Sequence, residues 1–282
     1  MVAEDNILNY SELPAHALVI NSVTDPDVEM GVLETISKFL KRQPNIPFIN
    51  DPLKAAETSR DRNYQRLNKM EDVLFSTTIR LTVDEELLAG PAKKVEDMGF
   101  TYPVLVRNTG THTGQTFVRA ETPKALTETL EERLGTEIYL IQFVEAFYRG
   151  KYFRKMRVFF IDGEVYPVVH HIDDFWNVHG GNRKEVMAEH DWMMEKEKAY
   201  VSDCHAYLGD EPYAILRQLI DIIGLDFCGV DFTITDEGKL LIFELNPTMR
   251  HSFDHARKFK YLIEPHRNIT AAFNRMIENR LA

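Results

Sequence analysis

The run Cys228-Gly229-Val230-Asp231-Phe232-Thr233-Ile234-Thr235-Asp236-Glu237-Gly238-Lys239-Leu240-Leu241-Ile242-Phe243-Glu244-Leu245-Asn246-Pro247 constrains the fold more than any other part of the chain. Two apolar, β-rich segments flank a turn signal, which predicts a hairpin with strands over 227–235 and 239–245. With a two-residue loop at Glu237-Gly238, Asp231 falls directly opposite Glu244. A three-residue loop with Gly238 as a bulge shifts the register by one and leaves the two acids neighbours. Glu244 and Asn246, two residues apart, share one face of their strand. Apolar flanks shield that face from water. Two ionised carboxylates ~4 Å apart repel by roughly 4 kcal/mol at an effective dielectric of about 20. They must share a proton or hold a cation between them. Two carboxylates and an amide oxygen form a hard, all-oxygen set suited to Mg²⁺ or Mn²⁺ bridging substrate phosphates. The competing reading is a pair of solvated acids at strand ends, the ordinary fate of Asp and Glu.

A phosphate ligand needs local cations, because the 282-residue chain as a whole carries a net charge of −11. That balance serves solubility and argues against a nucleic-acid partner, which calls for a basic excess or stripe. The length and the 44% apolar content support a self-sufficient core without metal or disulfide staples. Cys204 and Cys228, the two cysteines, sit in apolar surroundings and read as buried thiols. No apolar stretch is long enough to span a membrane, and the acidic start lacks a secretory pattern. The expectation is a cytoplasmic protein with no membrane contact.

Residues 17–50 read as one β-α-β unit, with a strand at 17–21, a helix from Asp25-Pro26 to about residue 42 and a strand at 47–49. A polar helix over 52–70 carries Arg60, Arg62, Arg66 and Lys69. Strands are predicted at 75–81, 102–107, 115–119 and 137–144. Helices are predicted at 83–98, broken at Gly90-Pro91, and at 122–134 with Thr122 as N-cap. The remainder begins with strands at 153–161 and 164–170 joined by Asp162-Gly163, the strongest short hairpin signal in the chain. Helices follow at 185–207 and 211–223, and a helical tail with a break at Pro265 comes after the acidic hairpin. This divides the chain into a short α/β unit over 1–70, a small lobe over 71–144 and a large lobe over 145–282. The fold class is α+β, with two α+β lobes behind a small, truncated α/β unit.

Three further stretches carry candidate chemistry. Val104-Leu105-Val106-Arg107 ends a buried strand in a cation. It then enters Asn108-Thr109-Gly110-Thr111-His112-Thr113-Gly114, a loop whose backbone N–H groups and hydroxyls suit a phosphate. It lacks the Gly-Lys-Ser/Thr of a Walker loop, and as a bland alternative it is a turn. In Lys151-Tyr152-Phe153-Arg154-Lys155-Met156-Arg157, alternation turns Arg157 inward, where it needs either a structural carboxylate or a bound phosphate. Gln142-Phe143-Val144-Glu145 joins the lobes, and its backbone could read a base edge. His170, His171 and His179 lie near Trp176 without zinc-site spacing, and no serine or cysteine stands out as a nucleophile.

Together these residues resemble the ATP-grasp superfamily over roughly residues 50–280. Gly229-Val230-Asp231-Phe232 and Phe243-Glu244-Leu245-Asn246-Pro247 look like its paired metal-binding strands. The resemblance implies two lobes that sandwich ATP, with Asp231, Glu244 and Asn246 holding Mg²⁺ (or Mn²⁺) on its phosphates. It places Arg157 near the γ-phosphate and makes Arg107 and Thr109, Gly110, Thr111, His112, Thr113 and Gly114 the flexible phosphate loop. Gln142, Phe143, Val144 and Glu145 become the adenine and ribose hinge, and Arg62 reaches the phosphates from the interdomain helix. The implied activity is ligation of a small-molecule or peptide carboxylate to an amine through an acylphosphate. Arg250, with a fork suited to a carboxylate, joins Trp176, His179 and His251 on the substrate side. The other readings are a phosphotransferase of the same fold and a nucleotide-binding module without catalysis. Arg107 stands where many members carry Lys, and Asn246-Pro247 leads into Thr248-Met249-Arg250-His251-Ser252 rather than a small Gly-containing turn. The N-terminal α/β unit is shorter than usual, so a second copy or partner subunit is expected to complete it.

Overall fold

A computed structural model describes residues 14–23, 25–111, 116–180 and 183–282. At its N-terminal side, β1 (Val19–Ile20) pairs in parallel with β2 (Phe48–Ile49), and α1 (Pro26–Lys41) connects them. The Asp25 side chain accepts the Asp27 backbone N–H, and Pro26 occupies the first turn, where its missing donor costs nothing. Val32, Leu33, Ile36 and Phe39 recur at helical spacing and are all buried. The predicted single helix over 52–70 is instead two, α2 (Pro52–Ala56) and α3 (Arg60–Leu67). The break has a local cause. The Thr58 hydroxyl donates to the Ala55 carbonyl, the Asn63 amide donates to the Thr58 carbonyl, and Ser59 is extended at the start of the second helix.

The 75–81 run is likewise divided. Val73–Phe75 forms β3, and the chain then crosses at residues 76–77 to β4 (Thr78–Thr82) in a different sheet. β4 joins β5 (Val104–Asn108), β6 (Val118–Ala120) and β7 (Glu137–Gln142) in the order β4-β7-β5-β6, all antiparallel. The helices α4 (Glu85–Leu88), α5 (Pro91–Asp97) and α6 (Pro123–Glu131) cover one face, burying Leu87, Val95 and Leu126 against Val106 and Leu140. Thr122 caps α6 as predicted, accepting from Ala125 N–H. Arg80 on β4 ties this sheet to the N-terminal elements, bonding Asp27 of α1, Asp61 of α3 at 3.1 Å and Glu137 at 2.7 Å.

The larger sheet holds β8 (Phe153–Ile161), β9 (Glu164–Asp173), β10 (Phe227–Ile234) and β11 (Leu240–Asn246), in the order β3-β11-β10-β8-β9. Asp162 and Gly163 both take positive φ, 49° and 82°, as the tight turn between β8 and β9 requires. Between them and β10 lie α7 (Arg183–Val186), α8 (Asp191–Ser202), α9 (Cys204–Leu208) and α10 (Asp210–Ile223). The helix predicted over 185–207 is thus broken, in part because the Asp203 side chain caps a new helix at Ala206 N–H. Strand alternation sorts the core. Val158 and Phe160 pack with Tyr200 and Leu216 on one face, while Phe159 and Ile161 pack with Ile269 and Met276 of α11 (Ile263–Leu281) on the other. Pro265 lies in the first turn of α11 and does not break it.

The acidic hairpin combines both predicted registers. Next to the turn, Ile234 pairs with Leu240 and Phe232 with Ile242, the register of a three-residue loop with Gly238 at φ 83°. A bulge at Phe243 then takes back the offset, and Asp231 faces Glu244. Both cysteines are free and buried. Among the described residues, no helix is long and apolar enough to cross a membrane.

Candidate active site

The two sheets face each other across a cavity of about 620 Å³. Leu105, Arg107 and Ile141 line it from the smaller sheet, and Lys155, Arg157, Asp231, Glu244 and Asn246 from the larger. Arg60, Arg154 and Arg250 complete a set of six cations against two carboxylates. This is the local positive cluster that an anionic ligand requires in a chain of net charge −11.

Antiparallel pairing of β8 with β10 puts Arg157 opposite Asp231. Arg157 binds the carboxylate with both arms of its fork, at 2.6 and 2.8 Å, and Lys155 Nζ lies 3.2 Å away. Asp231 is 1% exposed. Burial works to raise its pKa, but the Arg157 and Lys155 charges prevail and hold it well below the usual carboxylate range. The structure therefore gives Arg157 a carboxylate partner, and relieves Asp231 without a proton shared with Glu244. Glu244 is more open, 33% exposed, with Arg60 at 3.6 Å. Asn246 Oδ1 accepts the Thr248 N–H at 2.9 Å, which shapes the turn after β11. These three contacts at Asp231, one at Glu244 and one at Asn246 leave oxygen lone pairs on all three side chains. The donor set remains all-oxygen and fits a hard divalent cation. Among the described residues, no group of three His, Cys, Asp or Glu offers another metal site.

Arg107 closes the cavity from the other side and donates to the Thr111 carbonyl. Burial first, and then Arg60, push its pKa down to about 10, so it stays a cation at neutral pH. Gly110 and Thr111 line a recess of about 50 Å³ together with Arg107, Glu244 and Asn246. Thr109 turns away, its N–H and hydroxyl both on the Glu137 carbonyl. His112, Thr113 and Gly114 lie outside the described residues. Gly110 is left-handed at φ 64°, and an added Cβ would meet Val28 of α1 at 2.5 Å. Gly110→Ala is expected to destabilise by on the order of 1–2 kcal/mol in urea unfolding, from the backbone cost and the clash together. Adding Val28→Ala should return the clash part, and an unaffected midpoint in Gly110→Ala would refute this close approach.

The hinge divides. Phe143 and Val144 line the cavity, whereas Gln142 points elsewhere, bonding the Thr101 N–H and carbonyl at 2.9 and 3.0 Å. Glu145 is exposed and outside the lining, where Ala146 takes part instead. Trp176 packs on the inner face of the smaller sheet, 5.5 Å from Phe117 and 6.0 Å from Phe143. Arg119 stacks over Phe143 at 4.1 Å. Arg62 faces away from the cavity, held by the Ala56 carbonyl and Glu57. Arg60, two residues earlier, lines it and donates to the Phe243 carbonyl. Only the break at 57–59 sets which arginine faces inward. Arg250 stands on the rim, 81% exposed and paired with Asp254 at 2.9 Å. His179 lines the cavity, His251 does not, and His170 and His171 are buried in β9 away from it.

A family model described as the RimK-like ATP-grasp domain matches residues 76–255. Among solved structures, the chain is similar to the VanG D-Ala:D-Ser ligase of Enterococcus faecalis, with 14% identity and a TM-score of 0.54 over 95% of this chain and 74% of that one. It is similar to the D-alanyl-alanine synthetase A of Vibrio cholerae, with 13% identity and a TM-score of 0.53 over 94% and 76%. A RimK domain ATP-grasp protein of Sphaerobacter thermophilus aligns at 13% identity and a TM-score of 0.51 over 90% and 81%. No curated protein matches in sequence. At these identities the likeness is one of fold.

Proposed function

The chain belongs to the RimK-like ATP-grasp family and has the ATP-grasp fold, and from that premise we propose that it is an ATP- and Mg²⁺-dependent ligase joining a carboxylate to an amine. The observation that supports this reading most is the cleft itself. Six cations line one cavity, three of them (Arg60, Lys155 and Arg157) beside its two acids, and an aromatic slot lies in the same cavity. Trp176, Phe117 and Phe143 suit the adenine ring, with the Phe143–Val144 backbone beside it. Arg60, Arg107, Lys155 and Arg157 suit the triphosphate. Asp231, Glu244 and Asn246 would hold Mg²⁺, which when bound supplies charge neutralisation on the phosphates.

In the proposed reaction a substrate carboxylate oxygen attacks the γ-phosphorus, the bond to the bridging oxygen breaks, and ADP leaves with that electron pair. The amine then attacks the acyl carbon of the acylphosphate, loses a proton and expels inorganic phosphate. Arg157 and Arg107 offset the charge that spreads over the transferred group. The wall formed by Trp176 and the smaller sheet limits water access to the acylphosphate. An amine arriving neutral needs no general base from the protein. The proposed partner for the short N-terminal unit is a second copy, because its two-stranded sheet leaves Ile20 and Phe48 in part exposed. An active monomer in light scattering would refute that partner.

ATP with Mg²⁺ is expected to raise the melting temperature by several degrees, since ligand at about 100 times its Kd stabilises by about 2.7 kcal/mol. Glu244→Gln should lose most of the Mg²⁺-dependent part. The same titration should change tryptophan fluorescence, and Trp176→Phe should abolish the change while leaving Trp192, the second tryptophan. No shift in the wild-type protein would defeat the nucleotide-site reading. Amide formation with release of inorganic phosphate is the expected turnover, and a phosphoester product would move the assignment to phosphotransfer.

A further inference from the structure

A second cavity, of about 330 Å³, lies between the N-terminal β-α-β unit, the open end of the acidic hairpin and α11. Its volume is at the small end of the range for small-molecule sites. Ile49, Phe227, Ile269 and Phe273 give it apolar walls, and no Asp, Glu, Lys or Arg is among the described residues that line it. Three lining side chains keep a buried polar atom with no hydrogen-bond partner among the described residues: Asn21 Nδ2, Thr248 Oγ1 and His251 Nε2. Asn21 is 3% exposed, so its orphaned amide sits within the protein rather than in bulk water. Such groups are costly to leave unmatched; the Asn21 amide donates, while the Thr248 hydroxyl and the neutral His251 ring can meet either a donor or an acceptor. Burial pushes the His251 imidazole below its ordinary value, which favours its neutral form.

The cavity and the cationic cleft share a wall. Asn246, Met249 and Arg250 line the cleft, while Thr248 and His251 of the same stretch line the cavity. Asn50 braces that wall. It takes the left-handed φ of 61°, which Asn tolerates, and its side chain donates to the Phe227 and Pro247 carbonyls and accepts the Phe227 N–H. The two ends of the hairpin are thereby fixed against the N-terminal unit.

We propose that this cavity binds the apolar, uncharged side of one substrate, of the size of a single aromatic ring bearing a carbonyl or hydroxyl. The proposal rests on the ligase reading for the word substrate, but the binding site itself does not. A charged group placed here would lose its hydration with no counter-charge in the walls.

Ligand-observed NMR with benzamide, benzoate and benzylamine tests this, since the three differ mainly in charge. Benzamide is expected to bind saturably, and each charged analogue at least about tenfold more weakly. Asn274→Phe and Ser22→Phe, both at exposed positions on the rim of the cavity, should each weaken benzamide at least about tenfold by filling its mouth. A cooperative urea transition in these variants reports that they are folded, whether or not ATP binds. Benzamide binding that survives both substitutions, or benzoate or benzylamine binding as tightly, overturns the proposal. Benzamide binding without any response to ATP would keep the cavity and defeat the ligase reading. The reverse pattern would defeat the cavity alone.

Discussion

Urea midpoints are expected to fall steeply as the pH drops below about 6.5, the ordinary histidine pKa, and to go on falling towards about 4. The cause is a set of histidines whose burial outweighs any counter-charge beside them. His170 is fully buried on β9 and ringed by Tyr148, Tyr200 and Tyr207. Burial, and then the nearby Arg154 charge, push its pKa down to about 3. Burial likewise takes His171 to about 4 despite Asp173, and takes His266 to about 4 with His251 and His255 adding to the effect. In the unfolded chain each would titrate at about 6.5. Between the folded and unfolded values the unfolded state therefore binds more protons, so stability rises with pH across that window. The contribution is fully present above about 6.5 and is lost as pH falls towards the folded values. Each group contributes at most about 3–5 kcal/mol, against a typical total of about 5–15 kcal/mol, so three acting together can unfold the protein in mild acid. His170→Phe keeps a ring in the tyrosine cluster and should make the fall shallower by about one proton. A midpoint that stays level from neutral pH to about 5 would show that these histidines are not held neutral by the fold.

The features that could be read from sequence are those fixed by near neighbours. Asp162-Gly163 dictates its turn because both residues tolerate positive φ, and Thr122 dictates a helix start through its own hydroxyl. The opposition of Asp231 and Glu244 was legible because a short loop fixes the register of a hairpin, although the bulge at Phe243 that makes it so was not. What sequence could not reveal depends on distant partners. Val73–Phe75 continues smoothly into the next strand in sequence, and only β11 draws it into the other sheet. Gln142 belongs to a plausible hinge, but its amide is committed to Thr101, which lies 41 residues earlier. Arg60 replaces Arg62 in the cleft because Thr58 and Asn63 interrupt a helix that composition alone would continue. The partner of Arg157 needed the β8–β10 register, a pairing across 74 residues.

That last pair carries the other large effect. Asp231→Asn preserves shape but leaves Arg157 and Lys155 facing each other with no carboxylate between them. Breaking a buried ion pair by removing one partner costs about 3–5 kcal/mol, and the partial exposure of Arg157 favours the lower end. A drop in melting temperature of roughly 10 °C is therefore expected. Arg157→Met in the same chain removes the stranded guanidinium and fills its space with an apolar side chain, so the double variant should regain most of the loss. A double-mutant cycle should give a coupling of about 1–3 kcal/mol, as found for groups in direct contact. The two roles of the pair then separate. If Asp231 and Arg157 serve only the fold, the double variant should also regain its stabilisation by ATP and Mg²⁺. If they hold nucleotide and metal as proposed, stability returns and the ligand response does not, because an amide and a thioether supply neither the anionic oxygens for the cation nor the charge for the phosphate. An Asp231→Asn variant as stable as the wild-type protein would mean that the carboxylate is dispensable to the fold, and that the six cations of the cleft tolerate one another without it.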